Sequence, residues 1–253
     1  MSNIHTSQDG AVFKLRFNRP EKKNAILGAM YADAAAAFNT ANNDPQVRVL
    51  VITGAGDSFC AGNDLKDFLD NPPTDKDAPV FRFMNAVQAF QKPVIAAVNG
   101  VAIGIGTTVL LHCDFAYAAP SAKFQLPFVN LALMPEFGSS LLLPRFVGTR
   151  KAAELLLLAE VFDAATARDI GLLNAVVEAD QLQEFVAAKA RILASKPPAS
   201  MRATKALLRS DRQNIADQVA MENEIFGERL KSAELKEAVT AFLEKRPADF
   251  SKF

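Results

Sequence analysis

Two glycine-bearing loops and one isolated carboxylate hold the residues best suited to chemistry. The first loop, Thr53-Gly-Ala-Gly-Asp-Ser-Phe-Cys-Ala-Gly-Asn-Asp-Leu-Lys66, and the second, Asn99-Gly-Val-Ala-Ile-Gly-Ile-Gly106, combine glycine with apolar strand-like runs. Glycine lets backbone approach a ligand closely, and a loop that ends at a helix N-terminus presents unpaired N–H groups to negative charge. After Gly104-Ile-Gly106 the run Thr107-Thr-Val-Leu-Leu-His112 can begin a helix, so N–H groups near Ile105 could face a developing oxyanion. Taken alone, the same glycines are better read as serving only tight strand-to-helix turns. The carboxylate is Glu136, in Met134-Pro-Glu-Phe-Gly-Ser-Ser140, ahead of a helix expected to begin near Ser139. A glutamate there favours the helix N-terminus whether or not it reacts.

Other chemistries are poorly supplied. Neither Gly54-Ala-Gly56 nor Gly104-Ile-Gly106 has the third glycine of a dinucleotide fingerprint, and no Gly-Lys-Ser/Thr supplies a P-loop. Ser58, Ser139 and Ser140 lack a nucleophile elbow. His5 lies near a fraying terminus, while His112, after Leu110-Leu111 and before Cys113, reads as a buried structural histidine. No His/Cys/carboxylate cluster has metal-binding spacing, so no metal site is expected. Cys60 and Cys113 sit beside apolar residues and read as reduced, buried thiols.

The elements that must position these groups follow from periodicity. Residues 10–18 alternate apolar and polar as a half-buried strand. Residues 24–43, with Ile26, Met30, Ala34 and Phe38 on one face, form an amphipathic helix closed by Asn42-Asn-Asp-Pro45. Buried strands follow at 47–53 and 94–98, separated by a helix over 79–90, the alternation of a parallel sheet with crossover connections. The charged, proline-containing stretch 66–78 reads as a mobile surface loop. From about residue 180 the pattern turns helical, at 180–195, 197–208, 214–230 and 234–245. The chain is therefore α/β in its first two-thirds with a helical end.

With 253 residues, half of them hydrophobic, one main core is expected. Lysine plus arginine equal aspartate plus glutamate at 28 each, so no global pull toward nucleic acid or anionic membrane is implied. Residues 1–10 lack the apolar core of a signal peptide, and no later apolar run reaches the roughly 18 residues of a membrane span. The final Ser251-Lys-Phe253 ends in the wrong residue for a peroxisomal address. A cytoplasmic location is expected.

Several motifs together resemble the crotonase, or enoyl-CoA hydratase/isomerase, superfamily: Asn18-Arg-Pro-Glu-Lys-Lys-Asn-Ala25, Ser58-Phe-Cys-Ala-Gly-Asn-Asp-Leu-Lys66, Pro93-Val-Ile-Ala-Ala-Val-Asn-Gly100, Cys113-Asp114 and Ala241-Phe-Leu-Glu-Lys-Arg-Pro-Ala-Asp-Phe250. They run in order over nearly the whole chain. The resemblance implies a spiral of ββα units over 1–195 and a C-terminal helical oligomerisation region over 196–253, assembled as a homotrimer or hexamer. It implies an acyl-CoA thioester as substrate, no separate cofactor, and an oxyanion hole from the backbone N–H groups of Asn63 and Ile105. The coenzyme would lie along Ala61, Gly62, Asn63, Asp64 and Leu65 beside Gly104, with Lys22, Lys23 and Ala25 near its nucleotide end. Phe242 and Lys245 of the last helix would reach a neighbouring subunit's coenzyme. Asp64 would equally serve to fix its loop through hydrogen bonds.

The resemblance also orders the reactions. Water addition in this superfamily uses two glutamates, at positions held here by Thr108 and Phe128, neither of which exchanges a proton near neutral pH. Glu136 falls at the position of the single catalytic carboxylate of one class of Δ3,Δ2-enoyl-CoA isomerases. Leu126, Phe128, Leu133 and Phe137 would enclose a dry pocket that raises its pKa. A double-bond shift by Glu136 is the expected activity; hydration, thioester hydrolysis, or acyl-CoA binding without turnover are the alternatives.

Overall fold

The computed structural model describes residues 2–73, 75 and 77–253. Among them the strands are β1 (Ile4–Asp9), β2 (Val12–Phe17), β3 (Val49–Gly54), β4 (Ser58–Cys60), β5 (Val94–Val98), β6 (Val101–Ile103), β7 (Phe115–Ala118), β8 (Lys123–Gln125), β9 (Phe162–Asp163) and β10 (Ala175–Val176). The helices are α1 (Gly28–Asn43), α2 (Leu65–Asp70), α3 (Pro79–Ala89), α4 (Ile105–Thr108), α5 (Ser139–Val147), α6 (Thr149–Ala153), α7 (Ala164–Asp169), α8 (Leu182–Ala194), α9 (Pro198–Leu208), α10 (Arg212–Arg229) and α11 (Ala233–Glu244).

From β3 to β8, consecutive strands alternate between two sheets. One sheet has the order β1-β2-β3-β5-β7-β10 and the other β4-β6-β8-β9, so the pairs β3/β4, β5/β6 and β7/β8 each place one strand in each sheet. With helices between pairs, this is the expected ββα spiral. Strand β3 shows why such strands are apolar throughout. Leu50 and Ile52 face the main core, while Val49 and Val51 join Ile95, Ala97 and Tyr117 on the opposite face beneath Leu182, Val186 and Ala190 of α8. Both faces are covered, as in parallel sheets generally. The C-terminal helices share the main core through Ile215, Val219, Phe226, Leu235 and Val239.

Charged ties reinforce this join. Lys205 of α9, 4% exposed, donates to Asp114 Oδ2 at 2.7 Å and to the Lys92 carbonyl at 2.6 Å. The same Asp114 oxygen accepts from Val94 N, fixing the start of β5 beside β7. Asp114 thus gives the Cys113-Asp114 motif a structural reason.

One element lies outside the expected pattern and one expectation changes. Residues 4–9 form an edge strand, paired antiparallel with β2 in full register from Ile4↔Phe17 to Asp9↔Val12. Its side chains beyond Ile4 are exposed, so it lacks the alternation that signals a strand. Within 66–78, expected as loop, α2 begins at Leu65 because Asp64 caps it, accepting from Lys66 N and Asp67 N, both at 3.2 Å. Thr74 and Lys76 of that stretch lie outside the described residues.

Asn24 is the buried clasp of the first loop. Fully buried with φ 58°, it accepts from Arg19 N at 2.9 Å and donates to the carbonyls of Ala55 at 2.9 Å and Ser58 at 2.7 Å. Asn24→Ala strands these groups and places alanine in the left-handed region. Urea unfolding is expected to show a loss of about 2–4 kcal/mol.

Candidate functional site

Strands β4 and β6 lie side by side and parallel, with Ser58 opposite Val101 and Cys60 opposite Ala102, so their carboxyl ends open at the same place. Beyond β4 the chain pairs with Ile26: Ile26 N donates to the Gly62 carbonyl at 2.8 Å and Asp64 N to the Ile26 carbonyl at 2.9 Å. The N–H of Asn63, between them, points away from that pairing and finds no acceptor among the described residues. Beyond β6, Gly104 takes φ 55° and ψ −120°, a conformation open to glycine, and α4 starts at Ile105. Ile105 N–H is a first-turn donor, and it too lacks an acceptor among the described residues. A Cβ on Gly106 would lie 2.4 Å from the Cys60 carbonyl oxygen, so glycine there lets α4 begin against the end of β4.

Glu136 is brought to this region by a tight left-handed turn, Phe137 at φ 59° and Gly138 at φ 71°. It is 6% exposed, rather than a solvated turn residue. Thr108, on the helix that Ile105 opens, donates its hydroxyl to Glu136 Oε1 at 2.5 Å. Burial pushes the Glu136 carboxyl up to about 8; the Thr108 hydrogen bond opposes this and the negative charge of Glu222 adds to it. The Glu136 charge is felt in turn by Tyr31 and by Cys60, whose pKa values burial raises, the thiol to about 12.

The turn is held from behind. His112 Nε2 lies 2.7 Å from the Phe137 carbonyl oxygen, and the two rings stack with centroids 3.9 Å apart. Burial lowers the His112 pKa to about 3, so the ring is neutral and donates Nε2–H to that oxygen. Its structural reading from sequence agrees. Ser139 donates its hydroxyl to the Glu136 carbonyl at 2.6 Å.

The expected coenzyme segments come together: Ala61 N donates to the Lys23 carbonyl at 3.0 Å, and Ile26 bridges Asn63. Lys22 and Lys23 are exposed beside this contact, and Ala25, Ala61 and Leu65 are half-buried. Asp64 is engaged within the fold, capping α2 and pairing with Arg19 at 2.7 Å. Burial would raise its carboxyl, but Arg19 and the Asp67 and Lys66 N–H groups outweigh that and hold it below the usual range. Leu126, Phe128 and Leu133 are buried in the main core, and the Phe137 ring lies between His112 and Phe83. Phe242 and Lys245 project into solvent at the end of α11.

A cavity of about 410 Å³ has Gly28, Tyr31, Asp67, Phe68, Pro79 and Val80 in its described wall, which includes none of Asn63, Ile105 and Glu136. Leu126, Phe128, Leu133 and Phe137 are absent from the described wall, so the apolar enclosure of this space comes from α1, α2 and α3 instead. Tyr31, which sequence reasoning passed over, links the two regions by donating its hydroxyl to Asn63 Oδ1 at 2.5 Å. Its signal was a polar-tipped aromatic next to the apolar face of α1. Among the described residues no cluster of three or more His, Cys, Asp or Glu could hold a metal ion, and no helix is long and apolar enough to cross a membrane.

The family description enoyl-CoA hydratase/isomerase fits residues 7–252. The crotonyl-CoA hydratase of Syntrophomonas wolfei is 38% identical, covering 98% of this chain and 97% of its own. The 1,2-epoxyphenylacetyl-CoA isomerase of Escherichia coli is 37% identical over 99% of both. Enoyl-CoA delta isomerase 2 of Rattus norvegicus is 36% identical, covering 96% of this chain and 64% of its own. A crystal structure of enoyl-CoA hydratase/isomerase from Pseudoalteromonas atlantica superimposes with a TM-score of 0.94 at 41% identity, over 98% of this chain and 100% of the other.

Burial of Glu136 has a measurable linkage. Its pKa is about 8 in the folded chain against an ordinary 4.5, so folding binds a proton. That contribution to stability is fully present below the unfolded pKa and is lost as pH rises through the folded one. Glu136→Gln removes the titration. The stability of Glu136→Gln relative to the parent is expected to increase from about pH 6 to about pH 8 by up to ~1.4 kcal/mol per pH unit, read by thermal unfolding.

Proposed function

Because the chain belongs to the enoyl-CoA hydratase/isomerase family, we propose that this enzyme shifts the double bond of an unsaturated fatty acyl-CoA from the 3 to the 2 position with Glu136 as its one proton carrier. The observation that carries the reading is the buried carboxyl of Glu136, with a pKa of about 8, hydrogen-bonded to the helix that begins at Ile105. The thioester carbonyl accepts from the free N–H groups of Asn63 and Ile105. Ionised Glu136 removes a proton from C2, the electrons pass into a dienolate whose oxygen those N–H groups stabilise, and protonated Glu136 returns the proton at C4. Each preorganised donor of this kind contributes about 2.7–4 kcal/mol to the barrier reduction.

Hydration requires a water and a second group to move its proton. The positions where the resemblance expects carboxylates for that task hold Thr108 and Phe128, and the Thr108 hydroxyl is already directed at Glu136. Coenzyme A enters as part of the substrate, along 61–65 with Lys22 and Lys23 toward its phosphates, and the acyl chain enters the cavity beside Tyr31. The same reading takes the protein as a cytoplasmic homotrimer or hexamer in which the exposed Phe242 and Lys245 meet a neighbouring subunit's coenzyme.

A panel of 3-enoyl-CoA substrates, assayed beside 2-enoyl-CoA hydration, tests the reading. Isomerisation is expected to exceed hydration, to fall about tenfold per pH unit below a limb near pH 8, and to drop by about 10²–10⁴ in Glu136→Gln. Dominant hydration, or isomerisation that survives Glu136→Gln, would contradict it.

A further inference from the structure

The buried face of α10 runs through Ile215, Val219, Glu222 and Phe226, three apolar residues and one carboxylate. Glu222 is 1% exposed, as buried as the core around it. A charge in such a stripe is costly unless it is fully hydrogen-bonded. Its partners all come from the turn that carries Glu136. Gly138 N donates to Oε2 at 2.6 Å, while Ser140 N at 3.1 Å and Ser140 Oγ at 2.5 Å donate to Oε1. Gln218, one turn earlier on α10, donates to Ser140 Oγ at 2.9 Å. The helix packs directly on the turn, because a Cβ on Gly138 would meet Val219 Cγ2 at 3.3 Å and Ile215 Cγ2 at 3.4 Å.

We propose that Glu222 is a positioning residue for the reaction: reaching across from α10, it locks the Phe137–Gly138 turn that aims Glu136 and sets a second negative charge behind it. The turn is then gripped on both sides, with His112 donating to the Phe137 carbonyl and Glu222 accepting from the next N–H. Two consecutive left-handed residues, one of them phenylalanine, are strained, and these paired contacts hold them. The charge acts as well. Of the titratable groups facing Glu136, Tyr31 from α1 and Cys60 from β4 are kept neutral by burial and His112 is neutral, which leaves Glu222 as the charge that raises the Glu136 pKa. Burial raises the Glu222 pKa also, opposed by its Gly138 and Ser140 donors. One turn further along α10, Phe226 packs edge-on against Phe68 of the cavity wall, centroids 5.9 Å apart, so one helix face braces both the base and the pocket.

The inference rests on Glu136 as the proton carrier, and its test reads Glu136 with and without turnover. Three variants, Glu222→Gln, Glu222→Asp and Glu222→Ala, are compared with the parent for the 3-enoyl-CoA pH profile. The Glu136 titration midpoint is followed in the same proteins by carboxyl infrared absorption against a Glu136→Gln reference. Glu222→Gln, nearly isosteric, is expected to move both the acid limb and the midpoint to lower pH by about half a unit to one unit. Glu222→Asp keeps the charge and shortens its reach, so its limb stays near the parent's while kcat falls. Glu222→Ala lowers kcat by about 10–100-fold with KM changed less than about threefold, as a misaimed base would. A folded Glu222→Gln with unmoved limb and midpoint, or variants with parental kcat, would overturn the role of Glu222. Parent protein inactive on 3-enoyl-CoA would overturn the isomerase reading instead, while the midpoint still decides whether Glu222 acts on Glu136.

Discussion

A carboxyl group enclosed by protein, with one hydroxyl to hold it, is the constraint around which this molecule is arranged. Ionised Glu136 is disfavoured by loss of water and by the charge of Glu222, and favoured by the Thr108 hydroxyl. The balance leaves the proton nearly as easily given as taken close to neutral pH, which is what the proposed double-bond shift would require of it. A solvated glutamate would hold its proton too weakly to return it well. A glutamate with several donors, such as the Asp64 side chain enjoys, would hold it more weakly still.

The rest of the fold can be read as the means of keeping that group beside two free N–H donors. Because strands β3 to β8 alternate between sheets, β4 and β6 become parallel neighbours although α2, α3 and β5 lie between them in the chain. Their ends therefore deliver Asn63 and Ile105 to one place. Close contact is then a matter of removing side chains, as at Gly106 against the Cys60 carbonyl. The C-terminal helices are part of the same construction. Through Lys205 on Asp114 and Glu222 on the 137–140 turn they pin the start of β7 and the turn that carries Glu136.

Much of this was legible in the chain, for identifiable reasons. Long apolar strands such as β3 and β5 and the helices after 180 announce themselves by period and length. The loops 53–66 and 99–106 stand out by glycine, and Glu136 by its place in an ordered set of motifs. What stayed hidden depended on distant partners. Strands β4, β6, β8, β9 and β10 have two or three residues each, too few to show a period. Strand β1 is an edge with an exposed face. Helix α2 lay inside a charged stretch whose helix signal was the cap Asp64 rather than a hydrophobic face. Tyr31 and Glu222 acquire meaning only when folding sets them beside Asn63 and Gly138. A carboxylate in phase with Ile215, Val219 and Phe226 was the one trace of Glu222 in the sequence. Leu126, Phe128, Leu133 and Phe137, expected as an apolar enclosure, are buried in the main core, and the 410 Å³ cavity is walled by other elements.

The most direct measurement is the protonation of Glu136 itself, read as the carboxyl infrared band present in the parent and missing from Glu136→Gln, followed from acid to alkaline pH. A midpoint near 8 is the expected result, placing a buried, weakly held carboxylate beside the two free donors. A midpoint near the ordinary glutamate value would mean that water reaches the group, and would contradict the dry single-carboxylate site.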